Sequence, residues 1–131
     1  MTSKLTYRQA FYKGVNGVFS QGSSSVRIDV RSGVIPLYKT ETGMRCPIGH
    51  IIGDTQLLNE LEGCPYLENS DTAKIFEKVT GLKYHPMIQG LQRIHDEWAL
   101  EAVGNNTMFI YMFMSDTARL ADNWGLTYEK E

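Results

Sequence analysis

The chain has 131 residues, of which 42% are hydrophobic and 21% charged, with 13 basic side chains against 15 acidic ones and a formal net charge of -2. Such a composition excludes a disordered chain, and the length is that of one domain that can bury a core without disulfides or a structural metal. Slight acidity with no dense Lys/Arg cluster excludes coating of duplex nucleic acid, and no run approaches the roughly 18 apolar residues of a membrane span.

Met1-Thr2-Ser3-Lys4 leads into an amphipathic pattern without an apolar signal core, so a cytoplasmic protein with Cys46 and Cys64 as reduced thiols is expected. The charges are unevenly spread. Residues 1–45 hold seven basic and two acidic groups, a net +5, whereas residues 46–131 hold six and thirteen, a net -7. Either a basic N-terminal face steers charged partners, or the halves pack together and present a mixed surface.

Taken in order, Leu5, Phe11, Val15, Val18 and Phe19 form a helical stripe and predict a helix over 4–20, flanked by Tyr7 and Tyr12. Gly14 and Gly17 weaken it by about 1 kcal/mol each relative to alanine, which is sustainable if another element approaches closely over them. Gln21-Gly22 and three serines end that helix. Val26, Ile28 and Val30 alternate with Arg27, Asp29 and Arg31, as in a half-buried strand; Ser32-Gly33 turns the chain, and Val34 to Lys39 returns it. Pro36 cannot donate to a ladder and belongs at an edge. An antiparallel hairpin over 25–39 results, with Met44-Arg45-Cys46 as a further short extended piece.

Next comes the densest stretch of the chain, Arg45-Cys46-Pro47-Ile48-Gly49-His50-Ile51-Ile52-Gly53-Asp54. Pro47 suits a first helical turn, and Ile48, Ile51 and Ile52 share one face. Four more helices are predicted: 55–62, capped by Asp54 or Thr55; 71–80, with caps among Asn69 to Thr72 and Gly81 as its stop; 86–103, opened by Pro86; and 107–124, capped by Asn105 to Thr107. The first turns of the last, Met108 to Met114, are apolar nearly all round, which predicts a central buried helix or one lending a face to a homodimer. The tail Glu129-Lys130-Glu131 is expected to fray. One domain over 1–131 follows: α+β, mainly helical, with four or five helices and a small antiparallel hairpin.

The order of Gln21-Gly22, Arg45 to Ile52, and Leu91-Gln92-Arg93-Ile94-His95-Asp96 resembles a group of small uncharacterised proteins encoded by tailed phages and prophages. Those proteins carry a Lys/Arg-Cys-Ala-Ile-Gly-x-Leu-Ile segment and a later Leu-Gln-x-x-His-Asp. Pro47 stands where alanine is usual, and Gly53-Asp54 lacks the group's Pro-Asp-Glu and following tyrosine, which puts any loop function after residue 52 in doubt. The resemblance implies viral origin, residence in the host cytoplasm and an accessory role. It transfers no activity.

The candidate chemistry is sparse. Cys46 as nucleophile with His95 as base would make a thiol site, Arg45 and the helix start at Pro47 lowering the thiol pKa. Successive helical residues point about 100° apart, so Asp96 is expected to orient His95 poorly. The plainer reading of Cys46 is a small buried hydrophobe. Cys46, His50, Cys64 and His95 are a weak zinc set, lacking paired spacing. Arg27, Arg31, Lys39, Arg45 and His50 are the binding candidates, for a partner surface or a small anionic ligand such as a nucleotide, with the backbone amides of the helix start at Pro47 available to it. Glu60, Glu62, Asp96 and Glu97 read as solvated charges. No cofactor is expected. The preferred expectation is a non-catalytic phage accessory protein that binds and modulates a host protein, such as a defence component; a cysteine- or metal-dependent hydrolase centred on Cys46, His50 and His95 and a nucleotide sponge using the basic hairpin are the alternatives.

Overall fold

A computed structural model of the chain describes residues 5–126. In order it holds α1 (Tyr7–Gln21), β1 (Val26–Asp29), β2 (Gly33–Pro36), α2 (Pro47–Ile52), α3 (Thr55–Leu61), α4 (Asp71–Thr80), α5 (Pro86–Glu101) and α6 (Asn106–Asn123). The fold is α+β and mainly helical, as expected. It has six helices rather than four or five, because the 45–54 segment contributes α2.

Local chemistry sets most boundaries. Thr6 caps α1: its hydroxyl accepts from the Gln9 N–H while the Gln9 side chain accepts from the Thr6 N–H, a reciprocal box that starts the helix at Tyr7. Lys4, in the predicted helix, lies outside the described residues, as do Glu129, Lys130 and Glu131. Ser70 caps α4, which stops at Gly81 in the left-handed region (φ 79°). Pro86 opens α5, but the helix ends at Glu101, and Val103, predicted inside it, is 40% exposed beyond it. Asn105 caps α6 through a 3.0 Å bond from the Met108 N–H, one residue earlier than predicted.

Two patterns mislead. The hairpin is antiparallel, with Val26 opposite Pro36 and Asp29 opposite Gly33, yet the alternation in β1 marks a buried face only at its root: Val26 packs against the core, whereas Ile28 is 72% exposed and Val30, beyond the strand, fully so. The hairpin meets the body mainly through β2, which packs on α5, and among the described residues nothing covers Ile28 and Val30 near the tip. There Asp29 accepts from the N–H groups of Arg31 and Ser32 and bends the chain round. Likewise α6 is not central. It buries one stripe, Phe109, Phe113, Thr117 and Ala121, against α5 and α1, and turns Met108 and Tyr111 outward.

The core runs through Phe11, Ile48, Ile51, Leu58, Phe76, Ile88, Leu91, Phe109 and Phe113, each at most 1% exposed. α2 lies against α1, and glycine permits it. A Cβ on Gly14 would press on Leu91, Pro47 and Ile51 at 3.1–3.2 Å, and one on Gly17 would enter the imidazole of His50. The two weak points of α1 are thus where α2 and α5 come closest. Gly49 serves the opposite side of α2, where an added Cβ would collide with the carbonyl oxygen of Tyr38.

Candidate functional site

The reactive groups of the 45–54 segment are used by the fold. Cys46 is fully buried, and its Sγ caps α2 by accepting from the Gly49 N–H at 3.3 Å. Burial pushes the thiol up to about 12, against the pull of that N–H. The electropositive, partly exposed setting expected of a nucleophile is absent around it, and a thiol so placed stays protonated at neutral pH. At the same helix start the Ile48 N–H donates to Gln92 Oε1 at 3.1 Å, so this amide, one of those suited to hold a phosphate, has a protein acceptor.

His50 lies between α1 and α2, with Nε2 2.9 Å from Gln21 Oε1. Burial, with Arg45 and other cations nearby, lowers its pKa to about 4. Arg45 donates to the carbonyl oxygens of Gly49 (3.2 Å) and Gly53 and reaches Thr55, closing the C-terminal end of α2. Lys39 extends its ammonium to the Thr40 carbonyl. Of the binding candidates these three are engaged with the fold, whereas Arg27 and Arg31 are exposed on the hairpin.

His95 and Asp96 overturn the orientation argument. The Asp96 carboxylate lies 2.8 Å from His95 Nδ1, because a side chain attached so close to its own Cα needs little reach to meet the next residue. Nε2 accepts from the Ser25 N–H at 3.1 Å and is therefore the unprotonated nitrogen. His95 is wholly buried, edge-on to Phe109 and Phe113. It anchors the hairpin root to α5, and both ring nitrogens are occupied in doing so. Cys46, His50, Cys64 and His95 do not converge: among the described residues no three His, Cys, Asp or Glu side chains are grouped to hold a metal.

Besides a groove of about 330 Å³ between α1 and α6, lined by Phe11, Phe19, Met114 and Leu126, two open surfaces combine charged and apolar groups. One is the hairpin tip, where Arg27, Ile28, Val30 and Arg31 all face solvent, and neither guanidinium is hydrogen-bonded among the described residues. The other is a cleft of about 560 Å³ between the root of β2, the 62–67 loop and α5. Its walls include Leu37, Leu67 and Leu100, and its charges are Glu62, Asp96 and Glu97 against Arg93. Arg93 and Glu97 are 3.9 Å apart on the exposed side. Glu62 is no solvated acid: its two oxygens accept from the N–H groups of Tyr38 (3.0 Å) and Lys39 (3.2 Å), fixing the chain where it leaves the hairpin.

Sequence reasoning missed Ser25, Gln21, Gln92 and Glu62 as the polar side chains that hold this region together. A neutral amide or a loop serine carries no periodicity, and only the resemblance drew attention to Gln21 and Gln92. No family model matches the sequence, and no curated protein or solved structure shows significant similarity to it. No helix among the described residues is long and apolar enough to cross a membrane.

Proposed function

We propose that the chain is a non-catalytic accessory protein of phage origin that binds a host protein and modulates it, with the hairpin tip as the contacting element. The observation that supports this most is the exposure of Ile28 (72%) and Val30 (103%) between Arg27 and Arg31. Two aliphatic side chains in water add nothing to the packing of the fold, and pairing them with two arginines matches the composition of interface centres, where arginine is enriched and lysine depleted. The partner surface is accordingly acidic with an apolar centre. Burial of Cys46 and full engagement of His95 weigh against the hydrolase alternative.

The test is capture of host proteins on the immobilised chain, followed by reconstitution with the purified partner. Arg27→Glu with Arg31→Glu should weaken that binding at least tenfold and leave thermal unfolding unchanged, because both side chains are exposed. Equal binding by the double variant would remove the hairpin from the interface.

A further inference from the structure

The hairpin tip and the cleft are complementary to one another. The tip offers the guanidinium groups of Arg27 and Arg31, with Asp29 between them, beside Ile28 and Val30; the cleft carries Glu62, Asp96 and Glu97 against Arg93, between leucine walls, and of these acids Glu62 and Asp96 also hold the hairpin root and His95. A single chain cannot bring them together, because the cleft sits at the hairpin's own root, where Pro36 and Leu37 form part of its wall. We propose that the cleft receives the hairpin tip of a second copy, and that two such contacts close an isologous dimer.

Two-fold geometry favours this pairing. β1 spans Val26 to Asp29, about 10 Å at roughly 3.4 Å per residue. In the proposed dimer a two-fold axis crosses the hairpin near its middle, so that each tip meets the other copy's root and the assembly closes. The alternative apolar face, on α6, lacks such a counterpart. Around Met108 and Tyr111 it presents Ser115, Arg119 and Asp122, and Arg119 already faces Asp116 at 3.7 Å on its own helix. The dimer covers the hairpin, so it competes with the host partner proposed above; it does not depend on that partner.

The pairing of charges supplies the experiment. Light scattering after size-exclusion chromatography should give twice the 14.8 kDa chain mass for the native protein at low salt, with the dissociation constant rising at least tenfold between 0.05 and 0.5 M NaCl. Arg27→Glu/Arg31→Glu should be monomeric, and so should Glu97→Arg, which sets residues 93 and 97 as two cations one turn apart at the cleft mouth. Mixed together, the two variants should recover the dimer mass, since acidic tip then meets basic cleft and the unaltered pair meets as before. A monomeric native protein, a dimer that survives in either variant, or a mixture that stays monomeric would each overturn the proposal. Glu97 is 65% exposed, so its replacement spares the fold. Because Glu97→Arg keeps the hairpin intact, it should lose the dimer and still capture the host partner. Failure of that capture tells against the functional reading alone.

Discussion

Replacing Gly17 by alanine sets two opposed effects against each other, and the structure decides between them. In an exposed helix interior the change would stabilise by about 1 kcal/mol through backbone entropy. Here the new Cβ would lie 2.5 Å from Nδ1 and 2.7 Å from Cδ2 of His50, and the ring must leave. Its departure breaks the 2.9 Å bond to Gln21, at about 1 kcal/mol, and disturbs close packing, at about 1–3 kcal/mol. Gly17→Ala should therefore be destabilised by about 1–3 kcal/mol in urea unfolding. A second readout identifies the cause. Native His50 titrates near 4, against 6.5 for the free side chain. Between those values the unfolded chain binds a proton that the native state refuses. The contribution of His50 to stability is thus intact above about pH 6.5 and is lost as pH falls toward 4. With the ring expelled, NMR should find its pKa back near 6.5, and the acid-side loss of stability should flatten. A variant more stable than the native protein by about 1 kcal/mol, with His50 titrating as before, would refute the packing argument.

Gly49→Ala should be worse, by roughly 3 kcal/mol or more, because the obstacle is the Tyr38 backbone, with Tyr38 C at 3.2 Å and Arg45 Cβ at 3.1 Å, and neither can swing aside. Chemical denaturation checks this, and a cost equal to that of Gly17→Ala would contradict the distinction drawn between ring and backbone. Aromatic disulfide reagent at pH 8 should modify one thiol per native chain, the half-buried Cys64, and two in urea; rapid reaction of Cys46 in the native protein would contradict its burial and its pKa near 12.

Helix starts and stops were readable from the sequence because they are decided within a few residues: Pro47 and Pro86 at first turns, Ser70 and Asn105 as caps, Gly81 as a left-handed stop. So was the meaning of Gly14 and Gly17, since a glycine on a helix face that tolerates it poorly points to a close neighbour. The strand alternation around Ile28 was misleading because period two reports that a strand has two faces, not that a second layer covers one of them. Of the two readings of the apolar start of α6, the central one fails: Phe109, Phe113, Thr117 and Ala121 are buried with Ile110 and Met114 packed beside them, while Met108 and Tyr111 face out. As for the site, residue type made Cys46 and His95 candidates, and three-dimensional context withdrew them, the one by burial and the other by engagement at both nitrogens. The exposed pair Arg27 and Arg31 was legible; the acidic cleft was not, since it is assembled from segments some 25 to 60 residues apart.

The short passage at Tyr38 and Lys39 bears on how the chain acquires its structure. Tyr38 alone is held by Glu62 through its N–H, by Cys46 through its carbonyl, and by Cys64 and Thr72 through its hydroxyl. The attachments to Glu62, Cys64 and Thr72 reach 24, 26 and 34 residues along the sequence, and each requires a loop to close before it yields any free energy. Helical turns need no such closure. The helices should accordingly collapse first and the hairpin root lock last, and a chain emerging from the ribosome cannot complete these attachments until residue 72 has been synthesised.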